Sequence, residues 1–165
     1  MQNIVSPTIP TYAAAYAADL NPAVVWTWIS RGLFRPDGDS GRVGMKERDH
    51  SPVDVLRLAI VAKIARYGFT IRESFEIVRD HVDRLYSGLV GVAAPGGPVQ
   101  VDIPLAVLVA QLDGISLRVS RRKGRTMVET KPVHADCGDL DHFAFLDLGR
   151  IAEAAADRLR RVTSG

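Results

Sequence analysis

The sequence predicts a mainly α fold, helical through its first half and α+β in a smaller second part, and three observations carry that prediction. Helix caps and 3.6-residue apolar spacing recur between positions 11 and 85. Gly88 to Pro98 (GLVGVAAPGGP) then combines four glycines and two prolines with no charge, which neither helix nor strand tolerates well. Beyond it, Ile115, Leu117 and Val119 alternate with Ser116, Arg118 and Ser120, the period of a half-buried strand. The expected organisation is a domain at 11–87, a linker at 88–98 and an α+β domain with a hairpin and a C-terminal helix at 99–163.

Thr11 precedes the alanine-rich run Tyr12 to Ala18, so a short first helix capped by Thr11 is expected. Asn21 and Pro22 pair a capping residue with the residue best tolerated at the first helical position, and Gly32 supplies a stop, predicting a second helix from Pro22 to about Arg31. Two short helices joined so tightly form a helix-turn-helix unit. After the glycine- and aspartate-rich stretch Pro36 to Gly44, a short hairpin is expected over Arg42 to His50. Ser51 and Pro52 open a third helix through about Tyr67 that is apolar around most of its circumference, hence a core helix. Thr70 and Glu73 form a capping box for a fourth, with Ile71, Phe75, Val78, Val82 and Leu85 opposite Arg72, Glu76, Arg79 and Asp83. Pro104 to Leu112 reads equally as a short helix or a buried strand. Met127 to Thr130 answers the alternating run across the turn Arg121 to Arg125, predicting a two-stranded hairpin. Asp147 caps a last helix with a basic end at Arg158, Arg160 and Arg161, which suits the helix dipole.

Composition narrows the function classes. The 165 residues carry 21 Lys and Arg against 19 Asp and Glu and are 47% hydrophobic, ordinary for a globular chain and unlike a disordered or low-complexity one. The longest apolar run, Ile103 to Leu112, falls far short of the roughly 20 residues of a membrane span. Cys137 alone allows no intramolecular disulfide, so a cytoplasmic protein without membrane contact is expected. The charge is unevenly placed: Arg118 to Lys131 holds six basic residues and one acid, whereas Pro132 to Asp157 holds six acids and one base.

The strings AAAYAADLNPAVVWTWISRGLFRP (Ala13 to Pro36), ERDHSPVDVLRL (Glu47 to Leu58) and ARYGFTIRES (Ala65 to Ser74), in that order, resemble the MerR family of winged helix-turn-helix DNA-binding proteins. The resemblance covers about Thr11 to Leu85. It implies a winged helix-turn-helix followed by a small α+β C-terminal domain, acting as a dimeric transcriptional regulator on double-stranded promoter DNA. Carried over by position, it places the recognition helix at Pro22 to Arg31, with Asn21, Trp26, Thr27, Arg31 and Arg35 toward DNA and Arg42, Lys46 and Arg48 on the wing. Cations there make physical sense, because phosphate contacts supply affinity and register. Two departures stand out. Where the family carries Arg and Thr before an aromatic pair, this chain has Ala23, Val24, Val25, Trp26, Thr27 and Trp28, a run poor in donors for base edges, and at least one of its tryptophans belongs to the core. The linker also forbids the long dimerisation helix with which such regulators commonly continue.

The remaining features weigh less. Arg121, Arg122, Lys123 and Arg125 form a second basic patch at a hairpin tip, suited to gripping phosphate or to solvation. His134, Asp136, Cys137, Asp139, Asp141 and His142 are ligand types without regular spacing, so a solvated acidic loop is expected rather than a metal site. No nucleophile with an orienting partner appears, so neither an enzyme nor a cofactor is expected. Leu148, Ile151, Ala155, Leu159 and Val162 form an apolar stripe expected to pack partly on the hairpin and partly on a second subunit. Two alternatives remain, an architectural DNA-binding protein of the excisionase kind and a protein-interaction module built on the apolar helix-turn-helix. A small-molecule or protein effector is left open.

Overall fold

The computed structural model describes residues 9–36, 48–86, 104–135 and 143–164. In chain order the elements are β1 (Ile9–Pro10), α1 (Thr11–Ala17), α2 (Pro22–Ser30), β2 (Asp49–His50), α3 (Pro52–Arg66), α4 (Ile71–Ile77), a π-helical turn (Val78–Val82) and α5 (Asp83–Tyr86). They continue with α6 (Leu105–Leu112), β3 (Ile115–Arg122), β4 (Arg125–Pro132), β5 (Phe143–Asp147) and α7 (Leu148–Thr163). The described residues are thus mainly helical with two small antiparallel sheets. No helix among the described residues is long and apolar enough to cross a membrane.

Local chemistry sets most helix starts. Asn21 accepts from the Ala23 N–H, Ser51 and Asp54 form a reciprocal capping box on α3, Thr70 and Glu73 do the same on α4, and Asp147 accepts from the Arg150 N–H on α7. Thr11 departs from expectation: α1 begins at Thr11 itself after Pro10, with no side-chain cap. Its hydroxyl is used at long range instead, donating to the Arg48 carbonyl at 3.2 Å and lying 3.0 Å from His50 Nε2. Since that one proton goes to the carbonyl, the imidazole N–H at Nε2 is the donor to Thr11 Oγ1. The same region pairs β2 with β1, Ile9 opposite His50. Most of the hairpin expected over Arg42 to His50 lies outside the described residues.

Pro104 to Leu112 resolves as helix, burying Leu108 and Leu112. The hairpin is longer than the alternation implied, running from Ile115 to Pro132 through a two-residue turn. Both turn residues, Lys123 (φ 47°) and Gly124 (φ 74°), have positive φ, as the tight hairpin turns with right-handed strand twist require. A third strand, β5, was not foreseen. It pairs with the other edge of β3, giving the order β4-β3-β5 with Leu117 opposite Leu146 and Val119 opposite Ala144.

The residues on either side of the 88–98 segment contribute to one hydrophobic cluster. Val55, Leu58, Ile60 and Ile64 of α3 join Leu108 and Leu112 of α6, Leu117 and Val119 of β3, and Leu148, Ala152 and Ala155 of α7 in it. Helix α7 lies against α1, α3 and α6. The alanines of α1, Ala13, Ala14 and Ala17, are buried, and small side chains there let helices approach closely. Polar ties reinforce the seam: Asp19 pairs with Arg66 at 3.0 Å, and an Arg158 N–H donates to the Ala17 carbonyl at 3.4 Å. Arg118, only 2% exposed at the centre of β3, donates to Ser116 Oγ and the Ala135 carbonyl, and its guanidinium lies over the Phe145 ring. Those acceptors offset the cost of burying the charge.

Candidate nucleic-acid interface

Helix α2 is presented by its two ends and its inner face. The turn from α1 is tight, with Asp19 in the left-handed region (φ 60°), and Asn21 and Pro22 start the helix within a few residues. Gly32 (φ +66°) ends it, and the Leu33 and Phe34 N–H groups both reach the Trp28 carbonyl. Inward, Val25 is fully buried and Trp28 is 7% exposed. Trp28 meets the Phe75 ring edge-on at 5.5 Å, Phe75 stacks on Phe34 at 5.4 Å, and Phe34 stacks on His50 at 5.9 Å. This aromatic train fixes α2 to α4 and β2, so its outer face stands on a rigid base.

That outer face carries Ala23, Val24, Thr27 and Ser30, with Arg31 just past its end and Arg35 beyond, all exposed. Two of its hydroxyls are spent inside the helix, Thr27 Oγ1 donating to the Ala23 carbonyl at 2.8 Å and Ser30 Oγ to the Thr27 carbonyl at 3.1 Å. The donors left for a partner are the Asn21 amide, whose oxygen is occupied by the cap, and the guanidinium groups of Arg31 and Arg35. Of the predicted site residues, Asn21, Thr27, Arg31 and Arg35 are all solvent-exposed, the first three along or at the ends of α2. Trp26 is only half-buried, and Trp28 takes the core position. Arg42 and Lys46 lie outside the described residues. Arg48 is half-buried at the start of β2, close to the Thr11–His50 pair.

Sequence reasoning missed an ionic lock behind this surface. Arg57 donates through Nε and Nη2 to both carboxylate oxygens of Asp83, each at 3.0 Å, and through Nη1 to the fully buried Asp54 at 3.1 Å. The fork geometry suits a bidentate pair, and it ties α3 to the helix end beyond the π turn. The signal was present as Asp54 and Arg57 three apart, but Asp83 lies 26 residues away.

The second basic patch is divided by the fold. Arg121 leaves the hairpin tip to pair with Glu73 at 3.0 Å and to cover the Phe69 ring at 4.7 Å, whereas Lys123 and Arg125 stay exposed. The partner of Arg121 is thus α4. The Glu73 carboxyl is held below its ordinary value of 4.5, first by the Thr70 N–H, then by the Thr70 hydroxyl and the Arg121 charge. A depressed carboxyl contributes stability above its ordinary value and loses that contribution as pH falls through the folded value. Thr70→Ala is expected to cost about 1 kcal/mol at neutral pH. The cost should narrow as pH is taken from neutral to below the lowered folded value, where the hydroxyl-to-carboxylate bond is lost and only the Glu73 N–H to Thr70 Oγ1 bond remains to be removed. Urea titrations of both proteins at the two pH values check this, and a cost that grows in acid would contradict it.

His134 is exposed, and Asp136, Cys137, Asp139, Asp141 and His142 lie outside the described residues. Among the described residues no group of three or more His, Cys, Asp or Glu side chains is placed to hold a metal ion. Three residues of the stripe expected to pack partly on the hairpin and partly on a second subunit are buried within the chain, and two are partly exposed. Leu148 and Ala155 are fully buried, Leu159 is 8% exposed, and Ile151 and Val162 pack at the edge of the same core. The hairpin takes little of it, because α1, α3 and α6 lie closer. No protein-family model matches the chain, and no curated protein sequence matches it either.

Proposed function

We propose that the chain is a DNA-binding transcriptional regulator of the MerR-like type that seats α2 in the major groove of a duplex. The observation that carries this reading is the solvated outer face of α2, rigidly backed by Val25, Trp28 and the aromatic train, with the exposed Arg31 and Arg35 at its end. A helix of this kind after a tight turn is the element that enters a major groove in helix-turn-helix proteins. The scarcity of free donors on it assigns most of the affinity to phosphate contacts and little to base reading. Arg42 and Lys46 would add backbone contacts from the segment before β2. The half-buried Arg48 serves the fold at least as much as the interface.

The test is a salt titration of duplex binding by fluorescence anisotropy. The logarithm of the affinity should fall linearly with the logarithm of salt concentration, with a slope of roughly −0.9 for each phosphate neutralised. Arg31→Gln with Arg35→Gln, and separately Arg42→Ala with Lys46→Ala, should weaken binding about equally across unrelated sequences and flatten that slope. Affinity indifferent to salt would overturn the reading. That result would favour the protein-interaction alternative, which has its own support in the exposed apolar side chains of Tyr12, Tyr16 and Val24 on α1 and α2.

A further inference from the structure

Behind the C-terminal end of α2 lies an open groove of about 350 Å³, between the segment after α2, α3, α4 and the π turn. Its volume is within the range of small-molecule sites, roughly 300–1,000 Å³. Leu33, Phe34, Phe75 and Val78 supply apolar lining; Phe34 is buried in its stack with Phe75 and His50, so the partly exposed Leu33 and Phe75 offer most of the apolar contact. Arg35, Arg72 and Arg79 line it as well. Arg79 is already neutralised by Asp80 at 2.9 Å, and Arg57 by Asp54 and Asp83. Arg35 and Arg72 are exposed and have no acidic partner among the described residues, so two guanidinium forks remain open beside an apolar floor. Glu76 also lines the groove and would repel a second negative charge. An apolar lining, two open cations and one carboxylate besides the Asp83 already held by Arg57 together favour an apolar monoanion over a phosphate or a dicarboxylate. The wall itself is unusual. Val78 and Arg79 come from the start of the π turn, a distortion found frequently at functional sites.

We infer that this groove binds a small apolar monocarboxylate, its hydrocarbon body against Leu33, Phe75 and Val78 and its carboxylate on Arg35 and Arg72. The pocket stands on its own geometry. Its regulatory meaning rests on the DNA-binding reading above, because Arg35 belongs to both: a carboxylate on that guanidinium removes a cation from the DNA-facing surface. The ligand is then an effector that weakens DNA binding, and by linkage DNA weakens the ligand by the same factor.

The experiment titrates 1-naphthoate into the free full-length chain by calorimetry, with 1-naphthalenemethanol as the uncharged control. The expected result is a dissociation constant below about 1 mM for the acid, in keeping with a ligand of this size, and far weaker binding of the alcohol. Arg72→Gln should weaken naphthoate binding about tenfold or more, as expected for loss of a charge-assisted bond. The same substitution should leave DNA affinity without naphthoate unchanged, since Arg72 is not among the DNA-facing residues. Saturating naphthoate should lower DNA affinity at least fivefold. Equal binding of acid and alcohol, or no loss in Arg72→Gln, would overturn the inference. So would an absence of naphthoate binding coupled with weakened DNA binding in Arg72→Gln, which would make these guanidinium groups phosphate contacts. Naphthoate binding by a chain that ignores DNA would leave the pocket standing and remove only the regulatory reading.

Discussion

Trp28→Ala should lower the stability of the chain by about 3–5 kcal/mol, the range for truncating a large buried aromatic. Trp28 is 7% exposed, fills the space between α2 and Phe75, and begins the aromatic train that continues through Phe34 to His50. Its removal leaves a cavity lined by rings that cannot collapse far, because Phe34 and Phe75 are held by each other. Trp26, two residues earlier and only half-buried, is the internal comparison, and Trp26→Ala should cost roughly 1–2 kcal/mol. Urea titration followed by far-ultraviolet circular dichroism checks both, since the helical signal does not depend on the tryptophan removed. With a slope near 2 kcal/mol per molar, Trp28→Ala moves the midpoint down by about 2 M. Equal losses from the two substitutions would contradict the assignment of Trp28 to the core. A loss of this size approaches the whole stability of a typical domain, so DNA binding by Trp28→Ala would report folding and not contact chemistry.

What the sequence disclosed follows from the range of the interactions concerned. The caps at Asn21, Ser51, Thr70 and Asp147 act within three residues, and each was legible as a short string. The buried face of α3 was legible for the same reason, its apolar residues being too many for any surface helix. Thr11 misled because its hydroxyl had two long-range partners, Arg48 and His50, that outcompeted the local cap. Strand β5 went unseen because its five residues carry too short an alternation, and its register on β3, Ser120 opposite Phe143, spans a long interval of chain. Helix α6 was ambiguous because Val107 and Val109 are apolar on faces that Leu108 and Leu112 do not share. At the candidate interface, exposure of Arg31 and Arg35 could be read from their charge and their place at and beyond the end of α2. The internal spending of the Thr27 and Ser30 hydroxyls and the groove beside Phe75 required coordinates.

The stripe on α7 gives the second large prediction, because a subunit contact and a place in the chain's own core lead to opposite consequences. As a subunit contact, Leu159→Asp would leave a folded monomer with its N-terminal half intact. Leu159 is instead 8% exposed within a core shared with α1 and α3, so the same substitution puts a carboxylate among apolar side chains of its own chain. Lost burial and the cost of an unpaired polar group together reach about 4–5 kcal/mol. The melting temperature should fall by roughly 10–15 °C at the few degrees per kcal/mol of a chain this size. Both tryptophans of the chain lie in α2, more than 130 positions from Leu159, and so their fluorescence reports on the N-terminal half alone. Because α7 lies on α1 and α3, the fluorescence and circular dichroism transitions should move down together in Leu159→Asp. Arg161→Gln, on the exposed side of the same helix, should move neither by more than about 0.5 kcal/mol. A tryptophan transition that stays in place while sedimentation shifts from dimer to monomer would mean that the stripe is spent between subunits in solution, and that α1 and α3 hold together without it.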